Sequence, residues 1–170
     1  MSISINKLNN CNVYVNGNSL LGRVEEFDVP EVVYKMAEHK SLGMIGTFEI
    51  PTGLDKMEAR MKWSSFFPDA IGSVSKPFTA IQLMVRGNMQ NFGTAGLNAD
   101  IPVSVIMTAM PKKMPGMKFK QHDNVEQESS FSVTRIKVIA NNQTSYEVDV
   151  MANIFTIDGE DILANFRNNQ

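Results

Sequence analysis

Polar and apolar positions alternate with a period of two along most of the chain, most clearly over residues 130–157. There Ser132, Thr134, Ile136, Val138 and Ala140 alternate with Phe131, Val133, Arg135, Lys137 and Ile139, and Tyr146, Val148, Val150 and Ala152 alternate with Glu147, Asp149, Met151 and Asn153. The pair Asn141-Asn142 between the two runs tolerates positive φ, so the stretch predicts a long β-hairpin. A hairpin of that length needs partners along both sides, and the fate of its edges becomes the question of function.

The rest of the chain supplies strands of the same kind. Residues 12–16 alternate and run into Gly17-Asn18, a strong turn signal, after which 21–29 reads as the returning strand. Beyond Pro30 the extended pattern continues through Val32, Tyr34, Met36 and Glu38 to Gly43. Met57, Ala59, Met61 and Trp63 oppose Lys56, Glu58, Arg60 and Lys62, a half-buried strand whose strict alternation outweighs the helix propensity of its residues. Residues 81–92 and 101–110 predict a second long hairpin around a loop with Gly93, Gly96 and Asn98; each strand has one apolar face and one mostly uncharged polar face. Helix is expected only twice. The first spans 68–75, with Ile71 and Val74 inward; the second follows an apparent capping box at 158–161, with Ile162, Leu163 and Phe166 inward and a frayed end from Arg167 to Gln170.

Two segments depart from the pattern. Residues 42–51, bounded by glycine and proline, carry Leu42, Met44, Ile45, Phe48 and Ile50, although loops normally run over wet surface and are polar. Such a loop either folds over an open end of its own barrel or docks on another subunit. Residues 111–128 hold Pro111, Pro115, Gly116 and the cations Lys112, Lys113, Lys118 and Lys120, and read as a long mobile loop.

Composition narrows the classes. The 170 residues make one domain, and 16 Lys and Arg against 18 Asp and Glu give no bulk attraction to nucleic acid or membrane. One cysteine, Cys11, forms no internal disulfide, and no run approaches the roughly 20 apolar residues of a membrane span, so a soluble, unexported product is expected. Twelve methionines suit irregular core filling or adaptable subunit contacts. His39 and His122 lack metal-ligand neighbours, and no nucleophile elbow or phosphate loop is present. Glu147 and Asp149 share a strand face, where edge protection or ion pairing is the simpler role than acid–base work. No catalytic residue, metal site or cofactor is expected.

Taken in order, Asn12-Val-Tyr-Val-Asn-Gly17, Val29-Pro30 with Lys35 and Glu38, Gly43-Met44, Gly53-Leu54-Asp55 with Met57-Glu58-Ala59, Val85-Arg86-Gly87, Ile101-Pro102-Val103, Tyr146-Glu147-Val148-Asp149 and Ile157-Asp-Gly-Glu-Asp161 with Leu163 and Arg167 form a collinear set. The set resembles the major tail tube protein of contractile-tailed bacteriophages and of the related phage-tail-like bacteriocins. One departure is Thr108-Ala109, where that family often has a second Arg-Gly.

The resemblance implies a mainly β fold: an antiparallel β-barrel or sandwich of the tail-tube type over 1–170, with one short internal helix, a C-terminal helix and an extended apolar loop. It implies homohexameric rings stacked into a tube, four strands per subunit joining into one closed barrel. Its partners would be tail sheath protein, baseplate or tube initiator, tail terminator and passing DNA that is not specifically bound, with no membrane anchoring. The location would be the virion, after synthesis in the host bacterial cytoplasm. Leu42, Met44, Ile45, Phe48 and Ile50 become inter-subunit contacts, and Arg86, Asn88, Gln90, Ser104 and Thr108 become lumen-facing. At −2 per subunit, a ring of six would carry about −12, in the direction that repels DNA. The alternatives are the tube of a bacteriocin or secretion system and a monomeric ligand-binding β-barrel.

Overall fold

The computed structural model describes residues 3–169 and is built almost wholly of antiparallel strands. The chain opens with β1 (Ile5–Val15), turns through Asn16-Gly17 into the two-residue β2 (Asn18–Ser19), and then leaves β1. The expected return strand, β3 (Val24–Asp28), pairs instead with β6 (Met57–Trp63), so the predicted turn is present but the predicted hairpin is only two pairs long. Between β3 and β6, β4 (Tyr34–His39) and β5 (Phe48–Leu54) form a separate two-stranded sheet. Helix α1 (Pro68–Val74) follows, its buried residues Ala70 and Val74; Ile71, expected inward, is only partly covered.

The long hairpin β7 (Ile81–Gly93) and β8 (Gly96–Pro111) pairs to its tip at Gly93 and Gly96, so the residues expected to form its loop are strand. β9 (Met117–Lys118) pairs with the start of β10 (Glu126–Ala140), placing a short strand inside the segment expected to be a loop. β10 turns through Asn141 and Asn142, both at positive φ as the sequence required, into β11 (Gln143–Asp149). β11 stops at Asp149, because its Oδ1 accepts the backbone N–H of Met151 and of Ala152 and bends the chain. β12 (Ile154–Ile157) and β13 (Glu160–Asp161) turn about Asp158 and Gly159 at positive φ, and α2 (Ala164–Asn168) closes the chain. The expected capping box at 158–161 is thus a hairpin turn. α2 has no side-chain cap and is five residues long.

β10 organises the whole. Its first half pairs with β6 from Gln127 to Val133, and its second half with β8 on one side and β11 on the other. A register shift between Val133 and Arg135 switches the buried phase from Phe131 and Val133 to Ile136, where uninterrupted alternation was expected. The bend lets β3 and β6 form a second layer across β1, β7 and β8. Met57, Ala59, Met61 and Trp63 meet Val13, Leu83, Val105, Met107 and Ala109 in one apolar core. The indole N–H of Trp63 donates to Ser129 Oγ at 2.9 Å, satisfying the one polar atom that a buried Trp brings with it.

Met61 is wholly buried while Ile45, at the far end of the β4–β5 pair, is fully exposed. Met61→Ala should therefore lower unfolding free energy by about 2–5 kcal/mol, whereas Ile45→Ala should change it by less than about 0.5 kcal/mol. Chemical denaturation of dilute subunit checks both values.

Candidate functional site

Among the described residues, three surfaces of the subunit are left largely uncovered. The first is the β4–β5 arm. Tyr34 pairs with Leu54 and His39 with Phe48, and the root is fixed by Asp55 N–H donating to Val33 O at 2.8 Å. Pro51 interrupts the ladder, and Thr52 Oγ1 donates to Lys35 O at the resulting register shift. The sequence-predicted loop 42–51 is therefore a hairpin end: Leu42, Met44 and Ile45 lie in its tip, while Phe48 and Ile50 lie on β5. All five are exposed, with Leu42 and Ile45 in full contact with solvent. An isolated two-stranded sheet is marginal in water, and an exposed apolar one is a candidate contact surface.

The second feature is a three-stranded extension. β8 loses β10 beyond the pair Val103–Ala140, and β2 covers β1 only at Tyr14 and Val15. Residues 96–101 of β8 and 5–12 of β1 are thus open edges flanking β7, Pro102 O being met by the N–H of Asn141 at 2.9 Å. The core-side face continues onto this extension as Leu8, Met89 and Ile101, none of them buried. Gly87 lets the strands approach closely: a Cβ at this position would lie 2.8 Å from Leu8 Cδ1, which would have to swing aside, and 3.2 Å from Asn10 O, where β1 crosses with a bulge.

The third feature is the opposite, polar face. Register pairs Arg86 with Ser104, Asn88 with Pro102, Gln90 with Asp100 and Gln82 with Thr108, so Arg86, Asn88, Gln90, Ser104 and Thr108 share one side of β7–β8. Asn88 Nδ2 donates to Asp100 Oδ1 at 2.9 Å. Strand neighbours add Lys7, Asn10 and Asn12 from β1, Arg135 and Lys137 from β10, and Glu147 and Asp149 from β11. Sequence reasoning put Glu147 and Asp149 on one strand face but could not join them, or Lys7, Asn10, Asn12, Arg135 and Lys137, to β7–β8, because a face spread over five strands is defined by register, and alternation within each strand leaves register open.

Glu147 and Asp149 act as ion-pair partners. Arg135 reaches Glu147 at 2.6 Å and Asp149 at 3.9 Å, and Lys137 reaches Glu147 at 3.1 Å. Desolvation pushes the Glu147 carboxyl up, but hydrogen bonds from Arg135 and Lys137 outweigh it and hold it below the ordinary value. The lysines of 111–128 are also paired: Lys112 with Glu58, Lys113 with Glu128, Lys118 with Glu126 and Lys120 with Asp123. They form no free phosphate-binding patch.

Comparison with known proteins places the chain in a family. Residues 5–169 match the family described as "Phage tail tube protein FII". The chain belongs to the phage tail tube protein family. The tail tube protein of Escherichia phage P2 is 26% identical over 167 residues, covering 96% of this chain and 95% of the phage protein. A chain of the extracellular contractile injection system structure described as the PVC sheath-tube complex in the extended state matches with a TM-score of 0.54 and 15% identity, covering 76% of this chain and 88% of that one. A chain of the PVC sheath/tube terminator in the extended state gives 0.52 and 16%, covering 75% and 91%. At that identity the likeness concerns the fold, which is mainly β and of the tail-tube type as expected. This tail tube subunit is a structural component of a virion or phage-like particle.

At the surface of β6, Glu58 is held at about 2, first by the hydrogen bond from Lys112 and then by that from Lys56. A carboxylate depressed in the folded state adds stability above its unfolded value, and that contribution is lost as pH falls through about 2. An NMR pH titration should show Glu58 titrating near 2 and moving back toward 4.5 in Lys112→Ala.

Proposed function

We propose that copies of this chain assemble into six-membered rings that stack as the inner tube of a contractile tail and conduct DNA through the host envelope. The observation that carries this reading is the three-stranded extension, with open edges on both flanks, a polar face and an uncovered apolar face. An open edge of that length invites pairing with another chain, and closure into a ring removes it. Neighbouring copies would pair the β1 and β8 edges and cover Leu8, Met89 and Ile101. The polar face, with Arg86, Asn88, Gln90, Ser104 and Thr108, would then line the channel.

The wall's charge differs from the subunit's. Four cations, Lys7, Arg86, Arg135 and Lys137, share the face with three carboxylates, Asp100, Glu147 and Asp149, so it carries about +1 per subunit where the whole subunit carries −2. A wall without a cluster of free cations suits a conduit, since several phosphate contacts would retain the polymer. In this reading Leu42, Met44, Ile45, Phe48 and Ile50 carry the arm onto a neighbouring subunit. Sheath, initiator and terminator are the further partners, as the resemblance to sheath-tube and terminator assemblies suggests. The subunit would be made in the host cytoplasm, in one domain. A tube that delivers protein is the second reading, favoured by the fold it shares with chains of the PVC injection system.

Negative-stain electron microscopy of concentrated protein tests the assembly: stacked rings are expected, and persistence as single molecules would refute it. Ile45→Asp combined with Phe48→Asp should leave a folded monomer but abolish long tubes, because a buried unpaired charge costs several kcal/mol at every repeated contact. Normal tubes from that variant would remove the arm's docking role.

A further inference from the structure

The conduit reading leaves a difficulty that the Arg135 cluster addresses. Among the described residues the polar face holds four cations, Lys7, Arg86, Arg135 and Lys137, and in a ring every subunit repeats them. Two of the four stand side by side on β10 and meet a single carboxylate. Glu147 accepts from Arg135 Nε at 3.1 Å and Nη2 at 2.6 Å through Oε1, and takes Lys137 Nζ at 3.1 Å on Oε2. Both of its oxygens are engaged, and its side chain is only 14% exposed, against 40% for Arg135 and 29% for Lys137. The carboxylate sits beneath the cations it neutralises. Asp149 stands behind Arg135 at 3.9 Å and is itself fixed by two backbone N–H groups at the end of β11.

Whatever such a half-covered ion pair adds to stability, its geometry also sets the free charge that this strand face presents. We infer that Glu147, supported by Asp149, cancels Arg135 and Lys137 so that this strand face does not retain a passing phosphodiester backbone. The inference rests on the luminal placement proposed above, and names the residue that sets how the wall treats a polyanion. Free guanidinium and ammonium groups each bind a phosphate by releasing its condensed counterions, with a slope of about −0.9 in log affinity against log salt per contact. With a carboxylate already bound to them, these cations have no counterion-release gain to offer.

The test uses Glu147→Gln, which keeps the shape and the acceptor for Arg135 while freeing Lys137, and the double variant with Asp149→Asn, which frees Arg135 as well and retains the acceptor for Met151 and Ala152. Binding of folded subunits to a short fluorescent DNA duplex is followed between 50 and 200 mM salt. The single variant should gain one contact and the double variant two. Affinity should then fall about 3.5-fold and about 12-fold more steeply than for the unmodified protein over that range. Glu147→Asp, which keeps the charge, should behave as the unmodified protein, and so should Glu160→Gln, which changes net charge equally at β13. If both Glu147→Gln and the double variant bind duplex no better than the Glu160→Gln control, charge cancellation by Glu147 is wrong. If the variants bind as subunits and, once assembled into tubes visible by electron microscopy, still bind duplex along their whole length, the face lies outside the channel. That outcome overturns the link to passing DNA while the assembly reading stands.

Discussion

Hydrogen bonding along both edges of β10 is the constraint on which the subunit depends. Each residue of a strand presents one donor and one acceptor to its neighbours, and a buried strand cannot leave them unmet. β10 meets this by changing partners midway, from β6 to β11 on one side, and on the other from β9 at Glu126 and Gln127 to β8 from Phe131 onward. The bulge between Val133 and Arg135 makes the change possible without exposing apolar side chains. Phe131 and Val133 point into the layer shared with β6, and after one extra residue Ile136 points into the layer shared with β8. The two layers, the core between them and the placement of Arg135 and Lys137 on the outer face all follow from that shift.

What β10 satisfies for itself, the rest of the chain leaves open. β7 and β8 are much longer than the second layer that covers them, so their distal halves, with β1, project as a sheet without a backing. The arm repeats this on a smaller scale, with two strands and an apolar tip, held at the root by Asp55, by Leu54 packed against the core and by Tyr34 against Phe155, ring centroids 6.2 Å apart. A monomeric ligand-binding barrel would close its edges and turn its apolar surface inward. This subunit turns much of that surface out, on the arm and on the extension.

Much of this architecture could be read from the chain. Alternation located β6, β7, β8 and β10, and Asn141-Asn142 located the turn between β10 and β11, because these depend on neighbours one or two residues away. Residues 21–29 show where such reasoning stops: they look like the return limb of a hairpin, yet β3 crosses to Trp63, Met61 and Arg60 of β6, a choice made by tertiary packing. The capping box at 158–161 failed for a related reason. Asp158 and Gly159 favour positive φ as strongly as the carboxylates favour a helix start, and pairing of Glu160 with Ile157 decides between them. For the candidate site, Arg86, Asn88, Gln90, Ser104 and Thr108 could be placed on one face of two strands. Their neighbours Lys7, Asn10 and Asp100 became visible only with the register of β1 and β8.

The single tryptophan of the chain lies in the middle of the core, 1% exposed and tied to Ser129, and it belongs neither to the arm nor to the open edges. Its emission therefore reports whether an individual subunit is folded and is silent about whether that subunit has polymerised. A fluorescence melt and a light-scattering trace recorded on one sample would separate loss of the protomer from loss of the filament, using an optical probe that the native chain already contains.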